Sequence, residues 1–258
     1  MSDPLVSVIM ASHNAAPFVG EAVDSVLGQS YGELELVVVD DCSTDGTAEL
    51  LAGYGDRIRL VRKDRREGPC RARNEALALT RGSLICWADH DDFWLPTKVE
   101  QQVRLLKARP EVGLVYSYFD AFESDTGATL HWPDGRRDFE GDVLAELLTI
   151  GCFIGSITTM FRREAFDRSG GQLRERDFSI GDDYWLWLTI GLNWEVARIP
   201  RVLARYRRHA GNESARVADQ LDFRRWRAEF VQEFLDEYPE AKRRLNWRER
   251  RALRTAGR

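Results

Sequence analysis

Short continuous apolar runs alternate, through the first half of the chain, with segments whose apolar positions recur every three or four residues. The continuous runs read as strands buried on both faces, and the three-to-four spacing reads as helix. Leu5 to Met10 forms the first such run, and Phe18, Val19, Ala22, Val23, Val26 and Leu27 mark the helix after it. Leu34 to Val39 is a second strand, and Ser43-Thr44-Asp45-Gly46-Thr47 supplies capping residues before a helix with Ala48, Leu50 and Leu51. Arg57 to Arg62 reads as a third strand, Cys70 to Thr80 as a helix with Ala72, Ala76, Leu77 and Leu79 inward, and Leu84 to Ala88 as a fourth strand. This alternation predicts an α/β fold, a mostly parallel twisted sheet with helices on both faces.

Later elements are sparser. A helix is predicted from Pro96 to Leu106 and a strand from Gly113 to Phe119. The segment from Glu123 to Gly141, with His131, Trp132 and Arg136, is polar and turn-rich and reads as a loop region. A strand from Ile157 to Phe161, a helix starting near Arg163, a helix from Tyr184 to Leu192 and a strand from Val202 to Tyr206 follow. From Arg216 onward, Leu221, Phe223, Trp226, Phe230, Phe234 and Leu235 predict a C-terminal helical extension that Pro239 breaks. Beyond it lies a basic tail with Lys242, Arg243, Arg244, Arg248, Arg250, Arg251, Arg254 and Arg258, in which Glu249 is the sole acid.

The 258 residues can bury a full core, and a net charge of -5 gives no reason to expect nucleic-acid binding. The four cysteines form no C-x-x-C pair, which points away from a zinc ribbon or a disulfide framework and toward a cytoplasmic setting. No run reaches the ~20 apolar residues of a membrane-spanning helix.

In sheets of the predicted kind, ligands bind outside the carboxyl ends of the strands. Those ends carry His13 and Asn14, then Asp40 and Asp41, then the cluster Asp89-His90-Asp91-Asp92. Carboxylates gathered there suit a divalent cation and its phosphate ligands, whereas an ordinary acidic turn capping the next helix is the competing account. Neither a Walker A sequence nor a G-x-G-x-x-G fingerprint is present, which argues against a P-loop kinase or an NAD enzyme.

Several segments in order resemble the family 2 glycosyltransferases of the GT-A fold. Ser7-Val8-Ile9-Met10-Ala11-Ser12-His13-Asn14 and Glu35-Leu36-Val37-Val38-Val39-Asp40-Asp41 look like the family's opening, and Gly68-Pro69-Cys70-Arg71-Ala72-Arg73-Asn74 like its helix start. Asp89-His90-Asp91 stands in the place of its D-x-D motif, Gly181-Asp182-Asp183-Tyr184-Trp185 is similar to its acidic catalytic segment, and Tyr206-Arg207-Arg208-His209 to its closing histidine motif. The resemblance spans roughly residues 4 to 212.

What the resemblance implies is an inverting transfer of a sugar from a nucleotide diphosphate sugar, UDP-sugar favoured, to an acceptor hydroxyl in cell-surface glycan synthesis. Mn2+ or Mg2+ is the implied cofactor, with Asp91 as direct ligand, Asp89 acting through water or the ribose, and His209 completing the site. Asp92 is expected to orient the loop or to cap the helix from Pro96. The nucleotide is expected among Ala11, His13, Asn14, Asp41, Arg73, Asp89 and His90. Within this set Asp41 would accept from the base's imide N–H, His13 would stack on the base, and Arg73 would bind a diphosphate oxygen. A carboxylate must remove the acceptor's proton, and Asp183 is preferred over its neighbour Asp182, with N-capping of the following helix as the structural alternative.

On this reading, residues 1–118 form the donor half, 119–212 the acceptor and catalytic half, and 213–258 the helical extension. The acceptor is expected to be a glycan or a lipid-linked sugar. The basic tail suits peripheral contact with the inner face of an anionic membrane, and equally a solvated helix. A sugar nucleotidyltransferase and a non-catalytic nucleotide-sugar-binding protein of the same fold are the alternatives.

Overall fold

A computed structural model describes residues 3–130, 138–175, 181–212 and 222–256. His131, Trp132, Arg136, Arg216 and Leu221 therefore lie outside the described residues. Four strands, β1 (Val6–Ser12), β2 (Leu34–Asp40), β3 (Arg59–Arg62) and β4 (Leu84–Asp89), pair in parallel in the order β3-β2-β1-β4. The register sets Ala11 opposite both Val39 and Asp89, and Ser12 opposite Asp40, so the strands end level with one another. Helices α1 (Val19–Leu27), α2 (Thr47–Ala52) and α3 (Pro69–Leu79) connect them. Alternate residues of β1 serve two cores, with Ile9 in one and Val8 and Met10 in the other, as the period of a doubly covered strand requires.

Beyond β4 the sheet becomes mixed. After β5 (Phe93–Trp94) and α4 (Lys98–Ala108) come β6 (Val112–Glu123), β7 (Thr129–Leu130), α5 (Leu144–Ile150), β8 (Met160–Arg162), α6 (Arg163–Arg168), α7 (Asp182–Gly191) and β9 (Glu195–Arg208). β8 lies antiparallel between β4 and β6, β9 runs parallel to β6, and β5 pairs antiparallel with β9. The chain leaving the acidic cluster thus pairs at once with β9, Phe93 facing Arg205, and this delivers the end of β9 to the cluster.

Several predicted boundaries shift for identifiable reasons. Ser156–Thr158 is a 3-10 turn and not strand, because the Thr158 and Thr159 hydroxyls donate back to the Gly155 and Ser156 carbonyls at 2.6 and 2.7 Å. The strand predicted from Val202 begins at Glu195, since β6 offers a pairing edge along its whole length. Gly55–Arg57 is likewise a 3-10 turn, and β3 starts at Arg59. Helix α5 has no counterpart in the sequence pattern, its seven residues showing too little of a helical period.

The C-terminal extension is built into the body of the protein. Helix α8 (Phe223–Glu237) is capped by Asp222, whose carboxylate accepts from the Arg224 and Arg225 amides. Phe230 stacks on Tyr184 of α7 with centroids 4.8 Å apart, and Arg227 donates to the Ile150 carbonyl at 2.5 Å at the C-terminus of α5. Pro239 ends α8 as predicted, but it also opens α9 (Pro239–Arg244), the first-turn position proline tolerates. Ala241 and Leu245 are buried, and Arg244 donates to the Leu192 carbonyl at 2.8 Å just past α7. Helix α10 (Trp247–Ala256) keeps a largely solvent-facing surface, with Trp247 67% exposed.

Phe230→Ala should cost about 3–5 kcal/mol, since it removes a buried ring from both α7 and α8. Urea unfolding monitored by circular dichroism checks it, and a change under 1 kcal/mol would show α8 to be dispensable to the core.

Candidate active site

The loops after β1 and β2 are tied to one another. Asn14 adopts φ 48°, a left-handed conformation that asparagine tolerates, and its Oδ1 accepts from the Thr44 amide at 2.9 Å while its own amide donates to Ser43 Oγ at 2.9 Å. His13 Nδ1 lies 2.8 Å from the Asp41 carbonyl, which holds the ring at the junction of the two loops. Asp40 is fully buried and accepts from both the amide and the hydroxyl of Ser43. Asp45 bonds the Thr47 amide and hydroxyl at 3.1 and 2.6 Å, so the start of α2 is served without Asp41.

Asp41 instead reaches across to the loop before α3. Its two carboxylate oxygens accept from the Glu67 and Gly68 amides at 2.9 and 2.7 Å, one donor to each oxygen. Each oxygen keeps a second lone pair.

Asp89 closes β4 among donors. Arg73 Nη2 at 3.4 Å and Trp87 Nε1 at 3.2 Å face its Oδ1, and the Ser156 hydroxyl at 3.3 Å faces its Oδ2. Burial nonetheless raises its pKa, with Arg73 opposing the rise and the Asp91 carboxylate adding to it. His90 Nδ1 lies 3.1 Å from the Ala11 carbonyl and locks the cluster to β1.

Asp91 meets the residues that follow β9. His209 Nε2 stands 3.0 Å and Asn212 Nδ2 3.3 Å from its Oδ2. The Gly211 amide lies 3.2 Å from His209 Nδ1, and Phe18 packs against the ring at 4.4 Å, so the imidazole is held with Nε2 facing Asp91. Asp92 does not cap α4. It is buried, and its Oδ1 accepts from the Arg207 amide at 2.7 Å, so it anchors the loop to β9. Burial, followed by the repulsion of Asp91 and Asp89, pushes its carboxyl well above the usual range.

Arg207 was not among the residues the sequence singled out. Its Nε donates to the Asp91 carbonyl at 2.9 Å, its guanidinium pairs with Glu21, and the rings of Phe18 and Phe122 lie 5.1 and 4.7 Å from it. Asn212 was also missed. The Tyr-Arg-x-His segment contained the first of these, but its alternation along β9 is visible only once β5 and β6 flank that strand.

The acidic pair of the second half enters through Arg73. Its Nη1 donates to Asp182 Oδ2 at 3.1 Å while Nη2 faces Asp89, and the guanidinium lies 4.4 Å over the Trp87 ring. The exposed-helix account of Arg73 does not hold, since its side chain is 15% exposed. Asp182 and Asp183 occupy the first turn of α7, where the helix dipole favours negative charge, and the cap position is Gly181 at φ 90°. A Cβ at Gly181 would sit 2.9 Å from Trp226, so α8 fixes how α7 starts. Asp183 has no ion-pair partner among the described residues. Burial, with the Asp182 carboxylate next in weight, raises its pKa to about 7.

As a metal site the expected trio is only partly assembled. Among the described residues no three His, Cys, Asp or Glu side chains are grouped to hold an ion. Asp91 and His209 bring an oxygen and a nitrogen donor together, a donor set that would fit a divalent cation such as Mn2+, whereas Asp89 is turned to Arg73 and Ser156.

The model of the family described as Glycosyl transferase family 2 matches residues 7–170. The chain is 33% identical over 195 residues to the putative teichuronic acid biosynthesis glycosyltransferase TuaG of Bacillus subtilis, covering 72% of each chain. It is 30% identical over 191 residues to the UDP-Glc:alpha-D-GlcNAc-diphosphoundecaprenol beta-1,3-glucosyltransferase WfgD of Escherichia coli, covering 74% of this chain and 71% of that one. Among solved structures, S. aureus TarS 1-349 in complex with UDP-GlcNAc superposes with a TM-score of 0.69 at 17% identity, over 98% of this chain and 79% of that one. The longer TarS chain is matched over 39% of its length. The mannosyltransferase PcManGT from Pyrobaculum calidifontis, in complex with GDP-Man and Mn2+, gives a TM-score of 0.65 at 23% identity, over 99% of this chain and 74% of that one. The fold is accordingly the GT-A fold.

Arg207→Met should lower stability by about 1–3 kcal/mol, because the Asp91 carbonyl loses its donor and Glu21 its partner. Denaturant unfolding measures this, and an unchanged midpoint would mean that the acidic loop is held by other contacts.

Proposed function

The chain belongs to glycosyl transferase family 2, and from that membership we propose an inverting, divalent-metal-dependent transferase that uses a nucleotide diphosphate sugar, UDP-sugar favoured. The observation that carries the reading is the position of Arg73, within 3.4 Å of Asp89 and 3.1 Å of Asp182, because it draws the donor-side and acceptor-side acids to one place. In this reading, residues 1–118 bind the donor and 119–212 bind the acceptor. Asp41 accepts from the base's imide N–H through a remaining lone pair, and His13, held by the Asp41 carbonyl, offers its ring face to the base. Ala11, Asn14 and His90 shape the nucleotide's floor at the strand ends.

Asp91 and His209 would hold Mn2+ or Mg2+, with Asp89 acting through water or the ribose. When bound, the cation offsets the negative charge that builds on the departing diphosphate. Asp183 takes the proton from the acceptor hydroxyl as that oxygen attacks the anomeric carbon, and the bond from that carbon to the diphosphate breaks on the opposite face. A carboxyl titrating near 7 is matched to this task at neutral pH. Asp182, already engaged by Arg73, serves as the anchored neighbour whose charge keeps Asp183 basic.

The similarity to TuaG, a putative teichuronic acid biosynthesis glycosyltransferase, and to WfgD, which acts on a diphosphoundecaprenol-linked sugar, supports cell-surface polysaccharide synthesis with a lipid-linked acceptor as the setting. No described helix is long and apolar enough to cross a membrane. Peripheral contact with the inner face of an anionic membrane then falls to α10, where exposed Trp247 adjoins Arg248 and Arg251.

A thermal-shift panel of UDP, GDP, dTDP and CDP with and without Mn2+ tests the donor site. UDP with Mn2+ is expected to give the largest rise, since a ligand of the native state raises its melting temperature, and no shift with any nucleotide would remove the donor-site reading. Asp183→Asn should lower transfer by about 10²–10⁴-fold with nucleotide binding retained. In the parent enzyme kcat/KM should fall about tenfold per pH unit below about 7 and level off above it, because the base works only when ionised. A flat profile from pH 5 to 8, or normal turnover by the variant, would transfer the role to Asp182.

A further inference from the structure

Lys98 is a buried lysine outside the mechanism above. It lies in the first turn of α4, fully buried, with no carboxylate within ion-pairing distance among the described residues. Its three donors are nevertheless all placed. Nζ donates to Gln102 Oε1 at 2.9 Å and to the Thr159 carbonyl at 3.2 Å, and it lies 3.9 Å from the centroid of the Trp94 ring. Gln102, also fully buried, donates to the Thr158 carbonyl at 2.6 Å. Burial lowers the pKa of Lys98 to about 8, because the apolar surroundings disfavour a cation. An apolar side chain would fill the same space without desolvating a charge, so the contacts it makes need an account beyond packing.

Both acceptors belong to one short turn. Thr158 and Thr159 are themselves buried, and their amides and hydroxyls bond back to Gly155 and Ser156, so that residues 155–159 move as a unit. From the same turn the Ser156 hydroxyl reaches Asp89 Oδ2 at 3.3 Å, opposite the side that Arg73 holds. A side chain at Gly155 would come within 3.3 Å of the Phe119 ring, which limits how far the turn can shift toward β6.

We propose that Lys98 is a positioning residue for the donor site: with Gln102 it holds the carbonyls of Thr158 and Thr159, and thereby sets the turn from which Ser156 orients Asp89. This rests on the reading of Asp89 as a donor-facing carboxylate. The clamp gives the chain a way to fix a strand-end acid from the opposite side of the sheet. An ammonium does this where a neutral group would not, because it serves two carbonyl-type oxygens and an aromatic face at once.

The test is a double-mutant cycle on binding, by calorimetry, of whichever of UDP, GDP, dTDP or CDP binds the parent protein best, with and without Mn2+. Ser156→Ala and Lys98→Met should each weaken binding by roughly five- to tenfold, and Lys98→Met should add little further loss in the Ser156→Ala background. A purely structural role for Lys98 would lower the melting temperature and leave the two losses multiplicative, and that result overturns the proposal. Gln102→Met carries the same cycle if Lys98→Met does not fold. Parent-like affinity in Ser156→Ala overturns the proposal outright while leaving the donor site standing. A parent protein that binds none of the four nucleotides removes the donor-site reading and the proposal with it.

Discussion

The constraint on which the site depends is the crowding of buried and half-buried acids at one edge of the sheet. Asp89, Asp91 and Asp92 end one strand, and Asp182 and Asp183 open one helix, with Arg73 joining the two groups. Burial raises the pKa of Asp89, Asp92 and Asp183, and neighbouring carboxylates raise it further. Arg73 and Arg207 keep the cluster assembled without binding every oxygen.

How these two arginines are held explains much of the surrounding architecture. Arg73 lies over Trp87, and Arg207 lies against both Phe18 and Phe122. An aromatic face stabilises a cation without neutralising it, so the positive charge remains available to the acids. Trp87 stands two residues before Asp89 on β4, whereas Phe18 immediately precedes α1 and Phe122 lies near the end of β6. The cations that offset the acids are thus fixed by rings drawn from different parts of the sheet, and the acidic edge forms only when β4, β6 and β9 are all in place.

That dependence also decides what the sequence could reveal. The parallel strands were legible because each is a continuous apolar run between turn residues, and the polar strand ends followed from the topology of such sheets. Asp183 and Asp91 stand out in the sequence by motif alone. Ser156, Arg207 and Asn212 do not, because each acts across more than 65 positions of sequence on a partner that only sheet register brings near. Asp92 shows the same limit in reverse. A local rule offered it a helix to cap, but a β9 amide took its carboxylate instead.

Helix α7 depends on the C-terminal helices for its cover. Apart from Asp183, every residue from Asp182 to Gly191 is buried, so the helix has no solvent face and must be covered all round. Phe161 and Trp187 meet on one side, and Phe230 and Phe234 of α8 close over Tyr184 and Trp185 on another. Arg244 of α9 then satisfies carbonyls at the far end. The C-terminal helices through Leu245 therefore act as the wall that positions Asp182 and Asp183, and displacing α8 would move both acids together. Helix α10 packs Leu253 against the same core while its Trp247 stays exposed.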